Sequence, residues 1–274
     1  MARRSPETRN RMNLVQSIWE RRFAVKQLML RNFRVRYRNM AFGALWSVLN
    51  PLIMLGVLAF VFTYVYPRPE NSGNFPLFLL IGLVHFNIFS RMVPAATASV
   101  IEQSALIKKV AFPRIITPLS VVLAQLMDVL VLLGLLILFA LIFHAPITLN
   151  YAWVVLAVVV EIIFITGVGF ICSALNVYYR DMLYIVESWL TVLFWLTPVF
   201  YPLDYVRLRL PDWLYNLYIL NPLTGCIEAS RRAVLYQHCP DLRSGIYAIV
   251  IAFATLFFGA FVFQRLQRRF ADYT

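Results

Sequence analysis

Charge is what this 274-residue sequence has least of: Asp, Glu, Lys and Arg make up 14%, against roughly 25% in soluble domains. The shortage is concentrated. No charged residue occurs in Asn39–Pro67, Asn71–Ser90 or Ser244–Gln264, and Pro118–Phe143, Tyr151–Asn176 and Met182–Pro202 each carry at most one carboxylate. A bilayer core about 30 Å thick takes about 20 apolar helical residues to cross. Six stretches of that length leave little chain for a soluble domain. The fold class expected is an all-α integral membrane protein with six transmembrane helices.

Other absences narrow the chemistry. There is no G-x-x-x-x-G-K-[ST], so the chain does not cradle nucleotide phosphates through a P-loop, and no H-E-x-x-H or paired CxxC. His85, His144 and His238 are scattered and read as interfacial polar residues rather than ligands. The chain is not expected to be an enzyme, and no metal or cofactor is assigned to it. Of three cysteines, Cys172 falls in span four, while Cys226 and Cys239 fall on the expected outer side. A disulfide between those two suits an oxidising periplasm, but unpaired packing residues are the more ordinary reading.

What is present is apolar and basic: 61% hydrophobic residues, 15% aromatic, net charge +12. With the N-terminus inside, nineteen Lys/Arg lie on inner segments and six on outer ones. Basic residues accumulate on the cytoplasmic side of membrane proteins, so both termini are expected there, and the charge signals topology rather than nucleic acid. Some forty residues, basic almost throughout, precede the first span, a pattern unlike a signal peptide. The organisation expected is a cytoplasmic N-terminal segment (residues 1–40), a six-span domain (41–264) and a cytoplasmic tail (265–274).

Two inner segments carry more specific patterns. In Leu14–Arg38, Leu14, Ile18, Val25, Met29, Phe33 and Tyr37 recur at helical spacing among Arg22, Lys26 and Arg34. That is an amphipathic helix suited to anionic headgroups, read either as a lever feeding span one or as a basic retention signal. Between spans two and three, Ser99 and Glu102 have capping-box spacing and open a short helix. Lys108 and Lys109 sit near its end, where cations suit the helix dipole, and Pro113 stops it before Arg114. It is either a docking element for a soluble partner or a solvated loop helix.

The outer segment Tyr201–Arg243 is the longest connection and is not simply polar. Asn221 suits an N-cap and Pro222 the first helical position; Glu228 can pair with Arg231 or Arg232. Two short amphipathic helices that dip into the outer leaflet and return are expected, with Trp213 and Tyr215 in the first. Mid-span Asp128 and Glu161 are costly at such depth and share it with no Lys or Arg. A structural hydrogen-bonding role, a pathway-lining role and proton coupling all stay open for them.

The ordered series Arg36-Tyr37-Arg38, Gly43-Ala-Leu-Trp46-Ser-Val-Leu-Asn50-Pro51, Ala111-Phe112-Pro113-Arg114, Pro118-Leu119, Tyr179-Arg180-Asp181, Thr197-Pro198-Val199-Phe200-Tyr201-Pro202 and Asn221-Pro222-Leu223 resembles the permease subunits of type-2 ABC exporters for polysaccharides. The resemblance runs from about Phe23 to Arg269. It implies a homodimer bound to two copies of a separate ATPase that holds ATP and Mg, with the N-terminal helix at the interface. It further implies a coupling helix at about 99–112, using Ser99, Glu102, Lys108, Lys109 and Arg114, and a re-entrant periplasmic gate at about 203–240. The cargo would be a polysaccharide on a polyprenyl lipid, most like O-antigen; teichoic acid and capsule exporters are close relatives.

A glycan path needs aromatic faces and few fixed charges, which Trp46, Asn50, Phe60, Tyr64, Phe194, Trp195 and Tyr201 on the presumed lining spans would supply; membrane-interface belts use aromatics equally. Arg34, Arg36 and Arg38 would meet the carrier's pyrophosphate or ordinary lipid headgroups. The alternatives are a drug or small-lipid exporter of the same fold, or a membrane-embedded glycosyl- or acyltransferase. The latter would need acidic or His groups clustered at one face.

Overall fold

A computed structural model describes residues 22–37, 45–65, 74–105 and 113–272. Every regular element among them is helical, as expected where no water is available to satisfy an open backbone. The helices are α1 (Arg22–Tyr37), α2 (Leu45–Phe60), α3 (Phe75–Glu102), α4 (Ile116–Ala124), α5 (Leu126–Ile142), α6 (Tyr151–Tyr178), α7 (Met182–Leu196), α8 (Leu203–Arg209), α9 (Asp212–Ile219), α10 (Pro222–Leu235) and α11 (Leu242–Leu266). A π-helical turn, Val61–Val65, extends α2, and a 3₁₀ segment, Gln267–Asp272, follows α11.

Four helical stretches are long and apolar enough to cross a membrane: α3, α4 with α5, α6 and α11. The apolar helices at Val48–Phe60 and Met182–Leu196 are shorter. Each of the six overlaps a charge-poor stretch, but their lengths do not follow the charge gaps. The second gap ends at Arg91, yet α3 continues to Glu102. Its second half is buried, with Val100 packed among Phe170, Ala174 and Phe263, so tertiary burial carries the helix past the charge. Span three is in turn broken at Gln125 into α4 and α5.

Helix α3 is the central post. From Leu77 to Phe89 its residues are buried all round, the mark of a helix enclosed by others. Its start is fixed locally by Asn74, whose side chain accepts from the Leu77 amide, and by Pro76 in the first turn. Polar side chains along α3 and α6 satisfy themselves: Thr97, Ser99, Thr166 and Ser173 donate to carbonyls three or four residues back, the usual device where the alternative is an unpaired hydroxyl.

Helices α6 and α11 cross at Gly167 and Gly259. A Cβ on Gly259 would lie 2.3 Å from the Gly167 carbonyl oxygen, so both backbones need the missing side chains to approach.

The two ends of the bundle differ. At one end α1 lays Val25 and Leu28 against Ile116; Asn32 bridges Gln103 and Ser120. There too the Arg114 guanidinium donates to the Gln267 carbonyl at 2.9 Å and the Tyr178 hydroxyl to that of Leu266. The apolar face of α1 thus covers protein rather than lying only among headgroups. The opposite end carries α8, α9 and α10.

Candidate functional site

The connection between α7 and α11 folds as three helices, not the two expected, because Pro202, Pro211 and Pro222 each start a new one. They differ sharply in burial. None of α8 is buried and only Ile219 of α9 is, whereas ten residues of α10 are, Arg231 among them. The expected Asn221 cap forms: its side chain accepts from the Leu223 amide at 3.1 Å with Pro222 in the first turn. Glu228 pairs with Arg232, Nε to Oε1 at 3.2 Å. This settles which arginine serves as its partner and leaves Arg231 for another task.

Two consecutive side chains then anchor α10 to the core. The Arg231 guanidinium, 1% exposed, donates to the carbonyls of Val199 at 2.7 Å and of Phe78 and Tyr201 at 3.4 Å, and lies 3.5 Å above the Phe78 ring. A buried charge needs this density of partners. Gly82 makes the approach feasible, since a Cβ there would meet the Val199 carbonyl oxygen at 2.4 Å. The Tyr201 hydroxyl contacts that of Tyr218 at 2.7 Å and donates to the Trp195 carbonyl at 2.9 Å, holding the turn after α7 in place.

One residue earlier, the Ser230 hydroxyl lies 2.7 Å from His85 Nε2, whose Nδ1 lies 2.6 Å from Glu161 Oε2. His85 and Glu161 are 1% and 0% exposed. The sequence reading of His85 as an interfacial residue is therefore corrected: it sits inside α3, joining α6 to α10. Glu161 has the hydrogen bond anticipated for it, with a histidine rather than Lys or Arg as partner. Ser–His–Glu order is that of an activated nucleophile, but these side chains are packed inside the helix bundle. The arrangement acts as a polar staple.

We expect Glu161→Leu, which leaves His85 Nδ1 without its hydrogen-bond partner in an apolar interior, to cost about 1–3 kcal/mol. Glu161→Gln keeps a hydrogen-bonding group there and costs less. Thermal unfolding in detergent measures the difference, and equal losses would refute the staple.

Gln237 closes the far end of α10. Its φ of 55° turns the chain; its amide donates to the Pro146 carbonyl at 2.9 Å and contacts Thr148, and its own carbonyl accepts from the Asn150 amide. No local pattern singles out Gln237, because its partners come from the α5–α6 connection.

Several candidates from the sequence are placed less directly. Phe194, Trp195 and Tyr201 converge on Phe200, with ring centroids at 5.9, 5.2 and 5.0 Å, and Phe62 reaches it from the π-helical turn after α2 at 6.0 Å. Phe200 is the hub that sequence reasoning missed. Phe60 and Tyr64 pair at 5.3 Å and are exposed, as is Asn50; Trp46 lies in the first turn of α2. Trp213 is exposed and Tyr215 partly buried on α9.

Ser99 does not open a new helix. It is buried in the last turns of α3 and donates to the Ala96 carbonyl at 2.6 Å, and Glu102 ends that same helix. The capping-box reading fails because the preceding turn is already helical. Lys108, Lys109 and Arg38 lie outside the described residues; Arg34 is exposed and Arg36 falls at the end of α1. Cys226 is buried, Cys239 exposed, and all three cysteines are free.

Comparison with known proteins agrees with this architecture. The ABC-2 type transporter family matches residues 24–235. An O-antigen export system permease protein RfbA of Myxococcus xanthus is 28% identical over 262 residues, covering 95% of this chain and 99% of that one. One of the same name from Klebsiella pneumoniae is 27% identical over 248 residues, covering 88% and 91%. The polysialic acid transport protein KpsM of Escherichia coli is 28% identical over 246 residues, covering 88% and 92%. With a match across most of its length and several apolar helices of membrane-crossing length, this multi-pass membrane protein belongs to the ABC-2 type transporter family.

Proposed function

We propose that this chain is the permease subunit of an ATP-driven exporter that moves a lipid-linked polysaccharide from the inner to the outer leaflet of the cytoplasmic membrane. The observation that carries the reading is near full-length similarity to permeases named for O-antigen and polysialic acid transport. The arrangement at the α8–α10 end supports it. An aromatic hub built on Phe200 adjoins helices held by a buried arginine, and a sugar polymer needs apolar ring faces without exposed charges that would trap it.

On this reading six helices span the membrane, with the two short ones, α2 and α7, tilted or completed by partners. Helices α8–α10 form the re-entrant outer gate, and both termini are cytoplasmic. Two permeases pair and bind two copies of a soluble ATPase that supplies the ATP and Mg site. The apolar side chains that α2 and α7 expose, Ile53, Val57, Trp189 and Trp195 among them, then face lipid, the second copy or the conduit. Trp46, Asn50, Phe60, Tyr64, Phe194, Trp195 and Tyr201 line that conduit. Arg34, Arg36 and Arg38 meet lipid phosphates at the inner face. Coupling centres on the segment around Lys108 and Lys109, with Glu102 and Arg114 at its flanks and the buried Ser99 supporting it from within α3.

Deleting the gene tests the function. Loss of surface polysaccharide with inner accumulation of the lipid-linked polymer, restored by the gene, is the expected result. Unchanged surface glycan in a strain without a second exporter would point to a drug or small-lipid cargo. For coupling, Lys108→Glu with Lys109→Glu should leave membrane insertion intact and uncouple ATP hydrolysis from transport. Normal surface glycan in that double variant would remove the segment from the mechanism.

A further inference from the structure

Where α8 begins and α10 ends, a cavity of about 390 Å³ opens, within the size range of small-ligand pockets. Arg231 and Phe78 contribute to its floor, and Asp204, Glu228, Arg232 and Tyr236 to its walls. Its chemistry is balanced. Two carboxylates, two guanidinium groups and the His238 imidazole line it, and Glu228 and Arg232 neutralise each other at 3.2 Å. Arg231 is engaged with the Val199, Phe78 and Tyr201 carbonyls and does not offer a bare charge. A phosphate or a carboxylated sugar would meet the Asp204 and Glu228 carboxylates; a cation would meet the arginines. A neutral polyol instead finds acceptors in the carboxylates, donors in Arg232 and a partly exposed ring in Tyr236.

The wall that α10 supplies is also held before any ligand arrives. Ser230 and Arg231 fix α10 at the residues between Glu228 and Arg232, and Gln237 fixes the turn just past Tyr236. Preorganised groups of this kind lose little freedom on binding.

We propose that this cavity is an exit-side subsite that receives one uncharged sugar residue of the passing glycan. The proposal rests on the polysaccharide-export reading and sharpens it toward a neutral rather than an acidic polymer at this point of the path.

The test uses the full chain with its ATPase in lipid nanodiscs and saturation-transfer NMR. The probes are a neutral mannose or rhamnose trisaccharide, a sialic acid trisaccharide and inorganic phosphate. Saturable transfer to a neutral trisaccharide is expected, weakened about tenfold by Asp204→Asn, which removes a charged acceptor, and similarly by Tyr236→Ala. Both positions lie at the cavity wall and outside the His85–Glu161 contact; a size-exclusion profile checks that each variant folds. Stronger binding of the sialic acid probe or of phosphate would overturn the proposal. So would neutral-sugar binding indifferent to both substitutions, or no transfer to any probe. Those results leave the export reading standing if the deletion strain still loses its surface glycan; an unchanged surface glycan refutes the export reading itself.

Discussion

Gly259→Ala is expected to unfold this protein at markedly lower temperature, and Gly259→Val to prevent its accumulation in the membrane. The added Cβ would stand 2.3 Å from the Gly167 carbonyl oxygen and 3.1 Å from its carbonyl carbon. Those are backbone atoms, so no rotamer change relieves the clash and the two helices must separate. Overpacking of a close-packed site costs about 1–3 kcal/mol when side chains can give; here the cost should lie at or above the top of that range.

The separation would propagate. Beside this crossing Phe263 packs on Phe170 at one end of the bundle, and toward the other Ala252 and Ala248 pack with Cys226 of α10. Fluorescence-detected gel filtration across a temperature series measures the effect. Gly134→Ala, whose Cβ meets nothing within 4 Å, is the matched control and should behave as the parent does. Equal stability of the two variants would mean that α6 and α11 are not in contact through glycine.

Arg231 is the second large effect. Arg231→Met keeps much of the volume and loses every donor, leaving the carbonyls of Val199, Phe78 and Tyr201 to be satisfied some other way in an enclosed site. Hydrogen bonds to charged groups contribute about 1.5–3 kcal/mol each, so a net loss of about 3 kcal/mol or more is expected, with loss of surface glycan. Arg231→Lys should fare little better. An ammonium is a point charge and cannot reach carbonyls from two segments as a planar fork does.

The neighbouring Arg232→Met removes only an (i, i+4) pair with Glu228, and its stability should change by about 0.5 kcal/mol. If Arg231→Lys retained full stability and export, the anchor would not be the guanidinium. Helix α10 is pinned at Ser230, Arg231 and Gln237, while α8 and α9 bury almost nothing.

Much of the fold was legible in composition. Six charge-poor stretches located the apolar helices, because a charge inside a bilayer is expensive and its absence is a local, countable signal. Helix starts with a local cause were legible as well. Asn221 with Pro222 capped α10 as expected, since the cap's partner is the amide two residues on. Where a pattern was local but its context was not, the reading failed. Ser99 and Glu102 had the right spacing for a capping box, yet the preceding turns of α3 are already helical, with Met92, Val93 and Ala96 buried in the main core.

The sequence by itself determined that this chain lives in a membrane, where its apolar helices fall, and which end of the bundle carries the long amphipathic connection. Those properties follow from how each residue partitions between water and lipid, one residue at a time. The tertiary structure alone decided that His85 meets Glu161 and Ser230, that Arg231 rather than Arg232 goes inside, and that Gly259 seats on Gly167. Each of these joins residues separated by 30 to more than 150 positions in the chain. Helical periodicity says which face a residue occupies; only the packing of one helix on another says what that face will meet.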